Sequence, residues 1–202
     1  MRDSAAIPVF VQGRHLRLSA PHAELLFGTE TLPVLCRLSY GLDAAQATVD
    51  VMGPSERAFR QVRVLLPLRR SSAVYLGPRD LAASGHTHPT STGGPPSTSC
   101  VLVGPRGSVV LTDGVATLQR VELPSTEIRG LRLPSVATIE LSGERRRLIR
   151  RVPVVADEVR RAAYLPFEEG LEAAPTLASI VPESDGDTVP YGPTGSSRTK
   201  TV

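Results

Sequence analysis

The side chains best equipped for chemistry in this sequence are arginines. The 202 residues include 23 Lys and Arg against 20 Asp and Glu, and Lys200 is the one lysine. Any anion site must therefore use guanidinium groups, whose planar fork grips an oxyanion through two parallel hydrogen bonds. Histidine is scarce, with four in the chain. His86-Thr87-His88 has the His-x-His spacing that zinc sites use. It lies in a Gly-, Pro-, Ser- and Thr-rich stretch with no Cys, Asp or Glu close by, so the spacing alone does not make a site. Cys36 and Cys100 have no His or Asp near in sequence and read as buried, reduced thiols. Glu144-Arg145-Arg146-Arg147 and Arg150-Arg151 form a basic stretch whose default reading is a solvated face.

Composition excludes several classes. The formal net charge is +3, aromatics make up 4% of residues and Trp is absent, so the basic, aromatic-interleaved surface of a nucleic-acid binder is not expected. No apolar run approaches the ~18 residues of a membrane-spanning helix. Residues 1–6 are short and polar with no apolar stretch after them, and are expected to be flexible. The expectation is a cytoplasmic protein without membrane or nucleic-acid partners.

The elements that must position the arginines are mostly strands. Ile7 to Val11 is apolar and β-branched. Pro21 suits the first turn of a short helix ending at Gly28. Further strands are expected at 47–52, 60–66, 73–76, 100–103, 108–111, 115–123, 136–141 and 148–155, with a helical turn at 78–84. Gly104-Pro105-Arg106-Gly107 reads as a hairpin turn, and Ser142-Gly143-Glu144 as another turn. Residues 85–98 read as an exposed loop and 175–202 as a disordered tail. There is a faint internal echo of Val49–Arg57 with Val101–Gly107, and of Arg14–Ser19 with Arg120–Ser125. Many short strands with regular turns indicate an all-β barrel or sandwich with a few short helices.

Six blocks carry a resemblance. They are VQGRHLRLS at 11–19, LFG at 26–28, Gly53-Pro54, VRVLLPLR at 62–69, LVGPRG at 102–107 and Gly114-Val115. In order and spacing they resemble the PduL-type phosphate propanoyltransferases, phosphotransacylases associated with bacterial microcompartments, over roughly residues 7–174. The resemblance implies two interwoven small β-barrels related by an internal pseudo-repeat, with a two-zinc site between them. It also implies a reaction that moves an acyl group between coenzyme A and phosphate.

Carried over residue by residue, the resemblance implies that Arg69 holds phosphate, and that the site has changed. In the first Arg-His-x-His-x-Ser signature, Arg14, His15 and Ser19 match, and Arg17 stands where the second histidine would be. In the second signature Arg120 matches, while Val121 and Leu123 replace the histidines. The acidic ligand falls at Tyr75 and a late histidine near Leu165. The stretch at 85–98 lacks the family's arginine before Ser-Gly. His15 is thus the one remnant of the metal-ligand set, or a hydrogen-bonded histidine kept by strand packing. No cofactor is expected, since zinc needs three or four protein ligands. Arg17 and Arg120 either fill the former metal space as part of an anion site or pair with Glu122 or Glu144. Arg69 is an anion ligand or an interface arginine, with Arg70 beside it on the surface. The basic stretch at 144–151 gains a second reading, contact with coenzyme A phosphates.

Two functions follow as expectations. One is a phosphate acyltransferase homologue with impaired or zinc-independent activity on a coenzyme A thioester and phosphate. The other is a non-catalytic scaffold or partner-binding protein, a pseudoenzyme. A homo-oligomer is compatible with either. Residence in a microcompartment is not supported by the short N-terminal segment.

Overall fold

A computed structural model describes residues 6–38, 41–55, 57–86, 99–142, 147–157, 160–166 and 177–181. The order of elements shows two halves built alike. The first half contains β1 (Ile7–Gln12), β2 (His15–Arg17), α1 (Ala20–Phe27), β3 (Val34–Arg37), β4 (Asp43–Met52), β5 (Ala58–Leu66), β6 (Ala73–Leu76) and α2 (Pro78–Ala83). The hairpin β7 (Cys100–Val103) and β8 (Ser108–Leu111) follows. The second half contains β9 (Val115–Thr117), β10 (Arg120–Leu123), α3 (Ser125–Leu131), β11 (Val136–Ser142), β12 (Arg147–Ala156), β13 (Ala162–Pro166) and β14 (Leu177–Val181).

Pairing makes the repeat explicit. β2 runs parallel to β5 and antiparallel to β6. In the same way β10 runs parallel to β12 and antiparallel to β13. The leading strands are exchanged. β1 pairs in parallel with β13 of the other half, and β9 pairs in parallel with β6. The result is a closed barrel, β1-β13-β10-β12-β11-β14, beside a nearly closed sheet, β8-β7-β4-β5-β2-β6-β9, with β3 on β4. The interwoven barrels and the mostly-β class expected from sequence are present. Each sheet has its own core. Leu16, Leu18, Val62, Val64, Val74 and Leu102 fill one, and Ile7, Val121, Leu123, Ile139, Val152 and Leu165 fill the other.

Local chemistry explains the helix that joins β2 to the rest. Pro21 sits in the first turn of α1, and Gly28 ends it in the left-handed region at φ 75°, its N–H donating to Glu24 O at 2.7 Å. Gly104, in the β7–β8 turn, must lack a side chain, because a Cβ there would lie 2.6 Å from Leu26 O.

Four expectations need correction. The segment 115–123 is two strands, since the chain leaves one sheet and enters the other at Leu118, whose N–H donates to Leu76 O at 2.8 Å. The echo of Arg14–Ser19 with Arg120–Ser125 falls on corresponding strands, β2 and β10, but Val49–Arg57 and Val101–Gly107 do not correspond. There β4 and β7 are adjacent partners in one sheet. Cys36 is exposed on β3, because that strand lies off the main path of its sheet, while Cys100 is buried as expected. Finally, residues 177–181 of the expected tail form β14, which closes the barrel by pairing with both β1 and β11. Its alternation drives Ala178 and Ile180 into the core, a five-residue signal hidden in a polar, turn-rich segment. The expectations for 1–5, 87–98, 143–146 and 182–202 fall outside the described residues.

Closure through β14 is testable. Ile180→Ala is expected to cost about 2–4 kcal/mol in denaturant unfolding, and a chain ending at residue 176 should lose its cooperative transition.

Candidate functional site

Alternation along β2 sends Leu16 and Leu18 into the core and leaves His15 and Arg17 on the opposite face. The repeat does the same on β10. Val121 and Leu123 enter the barrel core, and Arg120 and Glu122 face outward. The two outward faces meet in a cleft of about 790 Å³ between the barrel and the sheet. Gln12 of β1 and Tyr75 of β6 also line it. Arg69 and Arg70 reach it from the segment after β5, which is fixed by Arg69 N–H donating to Leu18 O at 2.7 Å. Asp157 and Arg160 reach it from the end of β12, where Asp157 N–H donates to Leu123 O at 2.9 Å.

The lining holds five arginines and two carboxylates, so the cleft is electropositive. The arginines are not equivalent. The Arg120 Nε–H donates to Glu122 Oε1 at 2.7 Å. Its guanidinium also stacks on Tyr164 and Tyr75, 4.5 and 5.0 Å from the ring centroids. Its side chain is 12% exposed. Arg160 Nη1 lies 3.8 Å from Glu122 Oε2. Among the described residues, Arg69 and Arg70 have no such partner, and both are exposed at the rim.

His15 is held neutral. Its Nδ1–H donates to Gly13 O at 3.0 Å, which leaves Nε2 as an acceptor, and its ring stacks on Tyr75 with centroids 4.9 Å apart. Burial pulls its pKa from 6.5 to about 4, with Arg17 and Arg120 pushing the same way against the Gly13 bond.

The four residues singled out from sequence, His15, Arg17, Arg69 and Arg120, come together here. Three others do not. Val121, Leu123 and Leu165 are apolar core residues, and none of them lines the cleft. The cleft-facing residues of β10 are Arg120 and Glu122, one place earlier than a match anchored on Arg120 suggests. Period-two alternation was the signal for this, since apolar Val121 and Leu123 share one face and Arg120 and Glu122 the other. Of the alternatives for Arg120, the pair with Glu122 is present. Arg70 joins the cleft beside Arg69, and Gln12, Asp157 and Arg160 were not anticipated there. Both nitrogens of His86 are engaged, Nδ1 with Ser84 Oγ at 2.7 Å and Nε2–H donating to Ser99 O at 3.0 Å, and His88 lies outside the described residues. In the basic stretch, Arg147 and Arg151 are exposed and do not line the cleft.

Comparison with known proteins decides the family. The family model for phosphate propanoyltransferase matches residues 8–171. The chain belongs to the phosphate propanoyltransferase family. It is 30% identical to the phosphate propanoyltransferase of Lachnoclostridium phytofermentans over 87% of this chain and 86% of that protein. Identity is 35% with that of Rhodopseudomonas palustris, over 83% and 77% respectively, and 29% with that of Klebsiella pneumoniae, over 87% and 89%. The family match runs from β1 through β13, the span that contains every cleft residue named above.

Two outcomes test this geometry. Between pH 6.5 and 4 the unfolded chain binds a proton at residue 15 that the folded chain does not. Stability present above pH 6.5 should therefore fall with acidification across that window, by at most about 3 kcal/mol. The melting temperature of His15→Gln should show a shallower decline over the same range. Val121→His buries an imidazole in the barrel core, so it should destabilise the fold by roughly 2–3 kcal/mol and bind no zinc in a metal titration.

Proposed function

We propose that this chain is an acyl-CoA–phosphate acyltransferase that holds phosphate with guanidinium groups and works without zinc. The observation that carries the reading is the cleft itself. Arginines from β2, β10 and the segment after β5 converge on it, with Arg69 and Arg70 unspent at the rim. The shared family of the phosphate propanoyltransferases supports the substrate pair.

The donor set does not fit a zinc ion. The cleft faces of β2 and β10 present His15 with Arg17, and Arg120 with Glu122, so two of these four side chains are guanidinium groups. Glu122 is bonded to Arg120, and a guanidinium beside an imidazole repels a divalent cation. No group of three or more His, Cys, Asp or Glu placed to hold a metal occurs among the described residues.

The cleft can perform the reaction electrostatically. Phosphate bound by Arg69 attacks the thioester carbonyl carbon, a C–O bond forms, and the C–S bond breaks. The proton of hydrogen phosphate ends on the thiolate sulfur, which gives acyl phosphate and free coenzyme A. Fixed guanidinium charge stabilises the oxyanion between these steps. Neither Arg69 nor Arg70 loses an internal partner when it binds the anion. We place the protein in the cytoplasm, and no helix of the described residues is long and apolar enough to cross a membrane.

A second reading, a non-catalytic binding protein on the same fold, is favoured by one observation. Arg120 is already committed to Glu122 and two tyrosine rings, which leaves fewer groups for a transition state.

An acyl-CoA phosphorolysis assay with and without chelator separates these readings. The proposal expects turnover that chelation leaves unchanged and that Arg69→Ala lowers by roughly 10–100-fold, the loss of a charge-assisted contact. Phosphate binding without turnover would establish the non-catalytic reading. Turnover that requires added zinc would overturn the metal-free one.

A further inference from the structure

Residues lining the cleft carry buried hydrogen-bond acceptors that an ordinary anion site would exclude. Gln12 is 4% exposed, and its Oε1 is buried with no hydrogen-bond partner. Glu122 is 7% exposed, and its Oε2 is buried without a hydrogen bond, with Arg160 Nη1 3.8 Å away. His15, 5% exposed, adds Nε2 as a third acceptor, because Nδ1 carries its proton to Gly13 O. All three side chains line the space lined by Arg17, Arg69 and Arg70.

Buried acceptors without donors are costly unless a ligand or water satisfies them. A fully deprotonated oxyanion such as sulfate cannot do so, since it has no hydrogen to give and its charge repels the lone pairs. Hydrogen phosphate can. Near neutral pH it carries negative charge for the guanidinium groups and at least one P–OH for an acceptor. A site built to bond a ligand hydroxyl rejects the analogue that lacks it, because its own polar groups are then left unpaired.

We propose that Gln12 and Glu122 accept the P–OH hydrogen bond of phosphate and thereby select protonated phosphate over sulfate. This rests on the anion-binding reading above and adds its ligand discrimination. Glu122 is suited to the role because Arg120 fixes it through Oε1, which leaves Oε2 without a hydrogen bond, 3.8 Å from Arg160 Nη1. The proton accepted from P–OH is also the one that must reach the thiolate sulfur in acyl transfer. Gln12 and Glu122 would therefore orient the phosphate as well as recognise it.

Equilibrium titration of the full chain with phosphate, arsenate and sulfate at neutral pH and constant ionic strength tests this. Arsenate keeps a hydroxyl as phosphate does. Phosphate and arsenate should bind alike, with sulfate at least about tenfold weaker. Glu122→Gln should narrow that ratio by at least about threefold, since the amide can turn an N–H toward sulfate. Because Glu122 sits in a buried ion pair whose loss destabilises the fold, Gln12→Met, similar in size and lacking the acceptor, provides the second arm. It should narrow the ratio by a similar factor with an unchanged melting profile. Sulfate binding as tightly as phosphate, or a ratio unmoved in a folded Gln12→Met, overturns the selectivity and leaves the anion site standing. Failure of all three oxyanions to bind overturns both.

Discussion

The exchange of leading strands is the constraint on which the rest depends. β1 completes the barrel of the second half through β13, and β9 completes the sheet of the first half through β6. Each half gives up the strand that the other needs, so neither core closes by itself. The crossing points at Gly13–Arg14 and Leu118–Gln119 bring β2 and β10 to opposite walls of one cleft. Two short strands of matching role thus line one cleft, and their alternating residues help set its charge together with Arg69, Arg70, Asp157 and Arg160.

In this chain they contribute two arginines, a histidine and a glutamate to an electropositive cleft. The Arg120–Glu122 pair bridges the seam, because Arg120 stacks on Tyr75 from one sheet and Tyr164 from the other. A buried pair of this kind contributes little net stability over an apolar substitute, yet removing one partner leaves an expensive lone charge. Its effect is therefore on position. It holds one carboxylate oxygen and one guanidinium plane in fixed places on the cleft wall. The same positive surroundings reinforce what burial does to His15, so the imidazole remains an acceptor through the neutral range. The exposed pair Arg69 and Arg70 adds positive charge at the rim.

Much of this was legible in the sequence, and the reasons for the gaps are physical. Strands with clean alternation or a Gly-Pro turn, such as β4 to β8, lay close to where patterning placed them. β13 reads AAYLP and β14 reads LASIV, and small or mixed residues in so few positions carry no reliable period. α3 follows Pro124 and contains Gly130, so local propensity argues against it, and its contact with the core is made by the partly buried Ile128. The cleft was half visible. His15, Arg17, Arg69 and Arg120 could be named because they stand in or beside recognisable blocks. Glu122 could be named only as a salt-bridge partner and Gln12 not at all, because an acceptor in an arginine-rich site is meaningful only when its burial and missing hydrogen bond are seen. The misplacement at Val121 and Leu123 shows that strand alternation is a stricter guide to facing than a motif match anchored on one arginine.

The central claim, an arginine cleft that binds phosphate without a metal, is tested most directly by calorimetric titration of phosphate into protein dialysed against chelator. The account predicts saturable binding, of the same strength with or without prior chelation, that weakens as ionic strength rises. Binding that disappears on chelation and returns only with zinc would contradict it.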